Sequence, residues 1–296
     1  MVRNLADIGA EGVLLAGAGR AILLQIANPA VGHGVAEHSD FIARPLDRFR
    51  ATVTYVYAVV YGTEDQVVAV RRRVNRAHAA VRRKPDAGSA GYSAFDAQAQ
   101  LWVVATLYDT AITVYEKIYG ALDDEAADLM YRDYAKIGTV LQLPADLWPA
   151  DRAAFRTYWD ARLLTLELDA VTAGVARGLL YPPAGPLWLR MSMPLIRFIT
   201  AGLLPDHLRA GFGLPWSERH SRLFNRATRV SALVYPRLPR PVRHCVKDYC
   251  LARLGTATPA ATPHTVDRRG ALDLTYRPWG CWDAAVTGSR SARARG

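Results

Sequence analysis

The sequence is poor in cysteine, and the three it has, Cys245, Cys250 and Cys281, are an odd number without metal-ligand spacing. That argues against a disulfide scaffold and a zinc site, and fits a reducing compartment. A G-x-S-x-G elbow, a phosphate-binding loop and an H-E-x-x-H pair are all missing, which removes the usual hydrolase, nucleotide and zinc-peptidase signatures. No stretch keeps up strand alternation and no fixed period repeats. Uninterrupted apolar runs of spanning length are lacking too. Asp7 and Glu11 precede the first apolar run and Arg20 interrupts it, so a secretory signal is not expected. Leu187 to Leu208 contains Arg190, Pro194 and Arg197, and each arginine costs about 2.5–3.5 kcal/mol at a bilayer centre. A buried or surface-lying helix is expected there, in a cytoplasmic protein, with peripheral membrane contact near Leu187 to Leu204 left open.

What the sequence does have is helix periodicity. With 296 residues and 51% hydrophobic content it can bury one large core, and one all-α unit over 1–255 is expected, followed by a basic, irregular tail over 256–296. Val13 to Ala27 reads as a buried helix ended by Pro29, and Pro29 to Asp40 as a turn with a short helix carrying His33 and His38. Pro45 starts the next helix, on which Phe49, Val53, Val56 and Val60 form a stripe. Arg48 and Thr52 stand one turn apart on the neighbouring stripe. Thr63-Glu64-Asp65 caps a helix to about Arg83, with Val67, Val70, Val74, Ala77, His78 and Val81 inward and its arginines outward. Long helices follow over 94–119, 124–141 and 151–177, then, after a Pro-rich link at 181–186, near 187–204, 217–234 and 240–253.

The net charge of +10 includes blocks at Arg71-Arg72-Arg73 and Arg82-Arg83-Lys84, and an arginine-rich end at Arg290, Arg293 and Arg295. The first two blocks lie opposite an apolar face and read as solvated surface; no nucleic-acid motif accompanies them, and no nucleic-acid partner is expected. Gly17-Ala18-Gly19 lies in a helical run with no strand before it, so it does not read as a dinucleotide-binding turn. Glu116, Asp133, Glu167 and Asp169 lack the Glu-x-x-His partners of a di-iron bundle. What remains is a histidine on an apolar helix face, an Arg/Thr pair on the preceding helix, and many aromatic side chains. That set suits haem, whose axial ligand is a neutral imidazole and whose propionates arginines neutralise; it equally suits a helical lipid-binding protein.

Four ordered blocks over about residues 12–120 add a resemblance. G-R-A-I-L-L-Q-I-A-N-P-A-V-G-H-G-V-A-E-H-S-D-F, P-L-D-R-F-R-A-T-V-T-Y-V-Y-A-V-V-Y-G-T, R-V-N-R-A-H-A-A-V and Y-S-A-F-D-A-Q-A-Q-L-W-V-V-A-T-L are similar to the catalytic domain shared by rubber oxygenases and the mycophenolic-acid side-chain oxygenase. The resemblance implies an all-α fold with an internal haem pocket, one haem b, an axial histidine, and oxidative attack by dioxygen on an apolar, isoprenoid or alkene substrate. It puts His78 on the iron, with Arg48 and Thr52 beside the haem as the residues that orient dioxygen or a pocket water. Arg20 is a further pocket candidate, and His38 a reserve ligand or supporting group; without the resemblance, Arg20 and Gln25 simply hydrogen-bond helix ends and His38 caps a turn with Ser39 and Asp40. The sequence departs from the pattern at Ala51, where rubber oxygenases carry a lysine, and at Asn28 and Val104, where many relatives carry histidine. The non-enzymatic alternative is a haem or isoprenoid carrier or sensor.

Overall fold

Most helices start on a short polar side chain that accepts a hydrogen bond from an otherwise unpaired backbone N–H of the first turn. In the computed structural model, which describes residues 4–38, 45–85, 91–182 and 186–256, Asn4 caps α1 (Leu5–Gly9), Asp96 caps α6 (Ala97–Tyr119) and Asp123 caps α7 (Asp124–Thr139). Asp151 caps α8 (Arg152–Leu164) and Asp169 caps α9 (Ala170–Leu180). Thr63 with Gln66 at α5 (Glu64–His78), and Ser217 with His220 at α12 (Glu218–Val234), form reciprocal capping boxes. The remaining helices are α2 (Ala18–Ile26), α3 (Pro29–His38), α4 (Pro45–Tyr61), α10 (Leu187–Leu203), α11 (Asp206–Gly211) and α13 (Arg240–Thr256). Two residues each of β1 (Arg82–Arg83) and β2 (Tyr92–Ser93) form an antiparallel ribbon. The all-α class expected from periodicity is the class observed.

Four boundaries differ from the periodic reading, each for a local reason. The first apolar run opens as a 3-10 turn, Gly12–Gly17, before α2. Pro29 does not simply stop α2: it starts α3, after a bend of 102°, because proline fits the first helical position, where no N–H is needed. Asn28 makes the elbow, its Oδ1 accepting from Ala30 N at 3.1 Å and its carbonyl from Gly32 N at 2.8 Å. The expected 151–177 helix is two helices, since Thr165 turns its hydroxyl back onto Arg162 O (2.9 Å) and extended Asp169 starts α9. Helix α5 stops at His78 instead of Arg83, because Arg82 and Arg83 pair with Ser93 and Tyr92. The expected tail beyond residue 256, the Ser39–Asp40 cap of His38 and residues 183–185 of the Pro-rich link lie outside the described residues.

Helix α6 runs through the core. Trp102 is fully buried, stacks on Trp159 (5.2 Å between rings) and donates its indole N–H to Leu24 O at 2.9 Å. Lower down, Tyr108 is ringed by Tyr131, Tyr134, Trp148 and Phe155, all within 6.0 Å. The Gly17-Ala18-Gly19 run is a packing device: a Cβ at Gly17 would sit 2.4 Å from Thr110 Cγ2, and one at Gly19 2.0 Å from Thr200 Oγ1. These glycines let the start of α2 lie directly on α6 and α10.

Arg20 then locks that junction. It is 5% exposed, donating Nε to Leu203 O (2.9 Å), Nη1 to Thr110 Oγ1 (2.7 Å) and Nη2 to Asp109 Oδ2 (2.5 Å), with its guanidinium carbon 5.8 Å from the Trp159 ring centre. Removing one partner of a buried pair leaves an uncompensated charge, at about 3–5 kcal/mol. Asp109→Ala should therefore lower the unfolding free energy by about 3 kcal/mol in urea titration. A loss below about 1 kcal/mol, the scale of an exposed ion pair, would show that this junction does not hold the three helices together.

Candidate functional site

Helices α4 and α5 pack against each other, and α4 also packs on α1, α7 and α13, whereas α2 packs on α3, α6, α9 and α10. The first group brings Arg48, Thr52 and His78 into one neighbourhood; Arg20 belongs to the second, with its nitrogens directed at Asp109, Thr110 and Leu203. Gln25 likewise serves the core, donating to Thr106 Oγ1 at 3.1 Å. Among the family-divergent positions, Asn28 forms the α2–α3 elbow and Val104 is buried on α6, against the close approach of Gly138.

Arg48 and Thr52 lie one turn apart on α4, as spacing predicts, and the Thr52 hydroxyl donates back to Arg48 O at 3.2 Å. Both side chains are open to solvent. Protein nevertheless crowds the guanidinium of Arg48 enough that burial lowers its pKa. One turn further on, Tyr55 is buried and donates its hydroxyl to Ile137 O at 2.5 Å, anchoring α4 to α7. Burial pushes its phenol well above the usual range.

His78 is the last residue of α5, half-buried, at the point where the chain leaves the helix for the ribbon. Its carbonyl accepts from Val81 N at 2.9 Å, Val81 O accepts from Ala94 N at 2.9 Å, and the return strand sets the Phe95 ring edge-on to the imidazole, 6.4 Å between centres. Burial lowers the pKa of His78 below its ordinary 6.5, and the charge of Arg48 lowers it further. Both effects favour the neutral imidazole, the form in which a ring nitrogen can coordinate a metal. Phe95 and the ribbon carry no motif that points to His78; they are found only because the chain returns there.

His38 lies at the exposed end of α3, its ring 5.8 Å from that of Tyr92 on the same ribbon and edge-on. Tyr92 donates to Glu37 Oε2 at 2.7 Å and Arg83 to Glu37 Oε1 at 2.9 Å, so Glu37 pins α3 to both strands. Burial and then Glu37 push the Tyr92 phenol up to about 12, while the Tyr92 and Arg83 contacts hold the Glu37 carboxyl low. His33, noted in the sequence without a role, pairs through Nε2 with Asp169 Oδ2 at 2.5 Å, tying α3 to the start of α9. The structure thus brings Arg48 near His78, with Thr52 one turn along from Arg48, sets the His38 ring against Tyr92 of the ribbon, and puts Arg20 in a separate junction.

The sequence matches the family described as ER-bound oxygenase mpaB/B'/Rubber oxygenase, catalytic domain, over residues 6–233. It is 37% identical over 208 residues to the uncharacterized protein Mb2261 of Mycobacterium bovis, and equally to the uncharacterized protein Rv2237 of Mycobacterium tuberculosis; each alignment covers 69% of this chain and 81% of the relative. No solved structure gives a significant match. The matched span takes in α4, α5, the ribbon and the core around α6, and on that extent the chain belongs to the mpaB/rubber oxygenase catalytic-domain family, an oxygenase family.

Proposed function

We propose that this protein is a haem-b oxygenase that uses dioxygen on an apolar substrate of alkene or isoprenoid type, with His78 as the axial ligand. The observation that supports the reading is the half-buried imidazole of His78 at the end of α5, close enough to Arg48 on α4 for that charge, with burial, to lower its pKa. Among the described residues no three His, Cys, Asp or Glu side chains cluster as a metal site. A single imidazole would suit a cofactor that brings its remaining ligands with it; His78 would hold such a group, with Arg48 and Thr52 on α4 beside it. When bound, haem supplies the redox and oxygen chemistry.

The protein's contribution is then positional. His78 would present an unprotonated ring nitrogen, since burial and the Arg48 charge both oppose protonation. Arg48, a permanent cation on α4, has the planar N–H donors that would orient an oxygen substrate, a pocket water or a carboxylate. Thr52 supplies a rotatable hydroxyl beside it. Ala51 offers no side-chain ligand between them, so the distal lysine of rubber oxygenases has no counterpart here. The apolar and aromatic neighbours, Phe95 among them, would exclude water and favour an apolar substrate.

The absorption spectrum of the purified, haem-supplemented protein tests this directly. A Soret band near one haem per chain is expected, with His78→Ala losing most of it; a wild type that takes up no haem would sink the reading. Arg48→Ala and Thr52→Val should keep the haem and reduce aerobic consumption of an alkene substrate by about tenfold or more. Haem binding without any substrate turnover would favour the carrier or sensor alternative.

The pH dependence follows from the direction of the His78 shift. A histidine with a depressed folded pKa contributes stability that is present above its unfolded pKa and is lost as pH falls through the folded one. Folding stability of the haem-free protein should therefore fall from about pH 6.5 downward, and His78→Asn should remove part of that slope. An unchanged slope would mean that His78 is not held neutral.

A further inference from the structure

Helix α10 meets two environments along its length. At about 100° per residue, Leu187, Trp188, Met191, Pro194, Leu195 and Phe198 fall within one arc of about 120°. The end of that arc is covered: Phe198 stacks on Trp216 (5.6 Å) and meets Phe224 edge-on (6.0 Å), and Gly202 admits the Phe224 ring. The first two turns are bare. Leu187 is 69% exposed, Met191 72%, Leu195 60% and Trp188 40%, while Leu189 and Met193 on the opposite side are buried.

Arginines border the bare stripe on one flank. Arg190 and Arg197 line, with Met193, Tyr181 and Pro182, a surface hollow of about 200 Å³. Arg197 lies 4.4 Å over the Tyr181 ring and donates to Leu180 O at 2.9 Å; Arg190 is exposed. Helix α10 contains no acidic residue, and among the described residues no carboxylate pairs with either arginine. The adjoining α12 repeats the pattern, with Leu223, Val230 and Val234 exposed along one stripe beside Arg219, Arg222, Arg226 and Arg229.

We propose that the first half of α10 docks on an anionic phospholipid surface, Leu187, Trp188, Met191 and Leu195 entering the headgroup–acyl boundary and the hollow between Arg190 and Arg197 receiving a lipid phosphate. A surface-lying helix with an apolar face, an interfacial tryptophan and flanking arginines has the chemistry of such a site. Charge selects this occupant. A second copy would set arginines against arginines, and residues 257–296, with six arginines and three aspartates, carry the same sign. No span is needed, and among the described residues no single helix is long and apolar enough to cross a membrane. The docking goes beyond the oxygenase reading and stands without it.

Flotation of the full-length protein with vesicles tests the site. Binding is expected to vesicles of phosphatidylcholine mixed with phosphatidylglycerol, weaker to phosphatidylcholine alone, and falling with added salt. Met191→Asp, at an exposed position that does not disturb the core, should weaken binding at least about tenfold, and Arg190→Ser about fivefold. Arg71→Ser removes the same charge from the exposed face of α5 and should leave binding unchanged. The proposal is overturned if the wild type does not float, if Met191→Asp binds equally well, or if Arg71→Ser weakens binding as much as Arg190→Ser. It also fails if size-exclusion chromatography shows a wild-type dimer that Met191→Asp dissolves, for then a second copy is the occupant.

Discussion

The burial of α6 around most of its circumference sets the positions of the helices that carry the site. Eleven of its residues are buried, from Ala99 to Ile118, and a helix so apolar must be enclosed by several others. Helix α2 can lie on one side only because Gly17 and Gly19 remove the Cβ atoms that would collide with Thr110 and Thr200. With α2 that close, the Arg20 guanidinium is taken out of water and has to be satisfied by Asp109, Thr110 and Leu203 O. On another side α7 is stapled to α4 by the Tyr55 hydroxyl. The enclosure of α6 thereby fixes α4, and with it Arg48 and Thr52.

Desolvation connects this packing to chemistry. The ribbon after α5 returns Phe95 to the His78 ring, and burial there lowers the pKa of the imidazole, as it does that of the Arg48 guanidinium. The Arg48 charge makes protonation of His78 more costly still, since two nearby cations repel. The histidine yields, because its ordinary pKa lies near neutrality whereas that of arginine lies far above it. Under the proposed reading, a neutral imidazole there would serve as the ligand to haem iron, histidine being one of the side chains that hold it.

Much of this was legible in the sequence, for identifiable reasons. Helix starts were readable because Thr63, Asp123 and Asp151 sit where capping chemistry wants them, and the Arg48–Thr52 stripe followed from four-residue spacing. The end of α5 was not, because the strand pairing of Arg82 with Ser93 is a contact between segments rather than a local preference. The partners of Arg20 were invisible for the same reason: Asp109 and Leu203 lie 89 and 183 residues away. His78 was legible as an apolar-face histidine, but its neutrality depends on a distant cation and a returning aromatic ring. The bare half of α10 read as an apolar stretch with arginines that was either buried or surface-lying, since exposure is decided by how far α12 reaches.

The central claim is that the His78 nitrogen is the protein's ligand to haem iron, and resonance Raman spectroscopy of the ferrous protein tests it most directly. An iron–histidine stretching band is expected in the wild type, absent in His78→Gly, and recovered in that variant, together with haem retention, when free imidazole is added to occupy the vacated space. An iron–histidine band persisting in His78→Gly without imidazole would place the ligand elsewhere, with His38 the next histidine to replace.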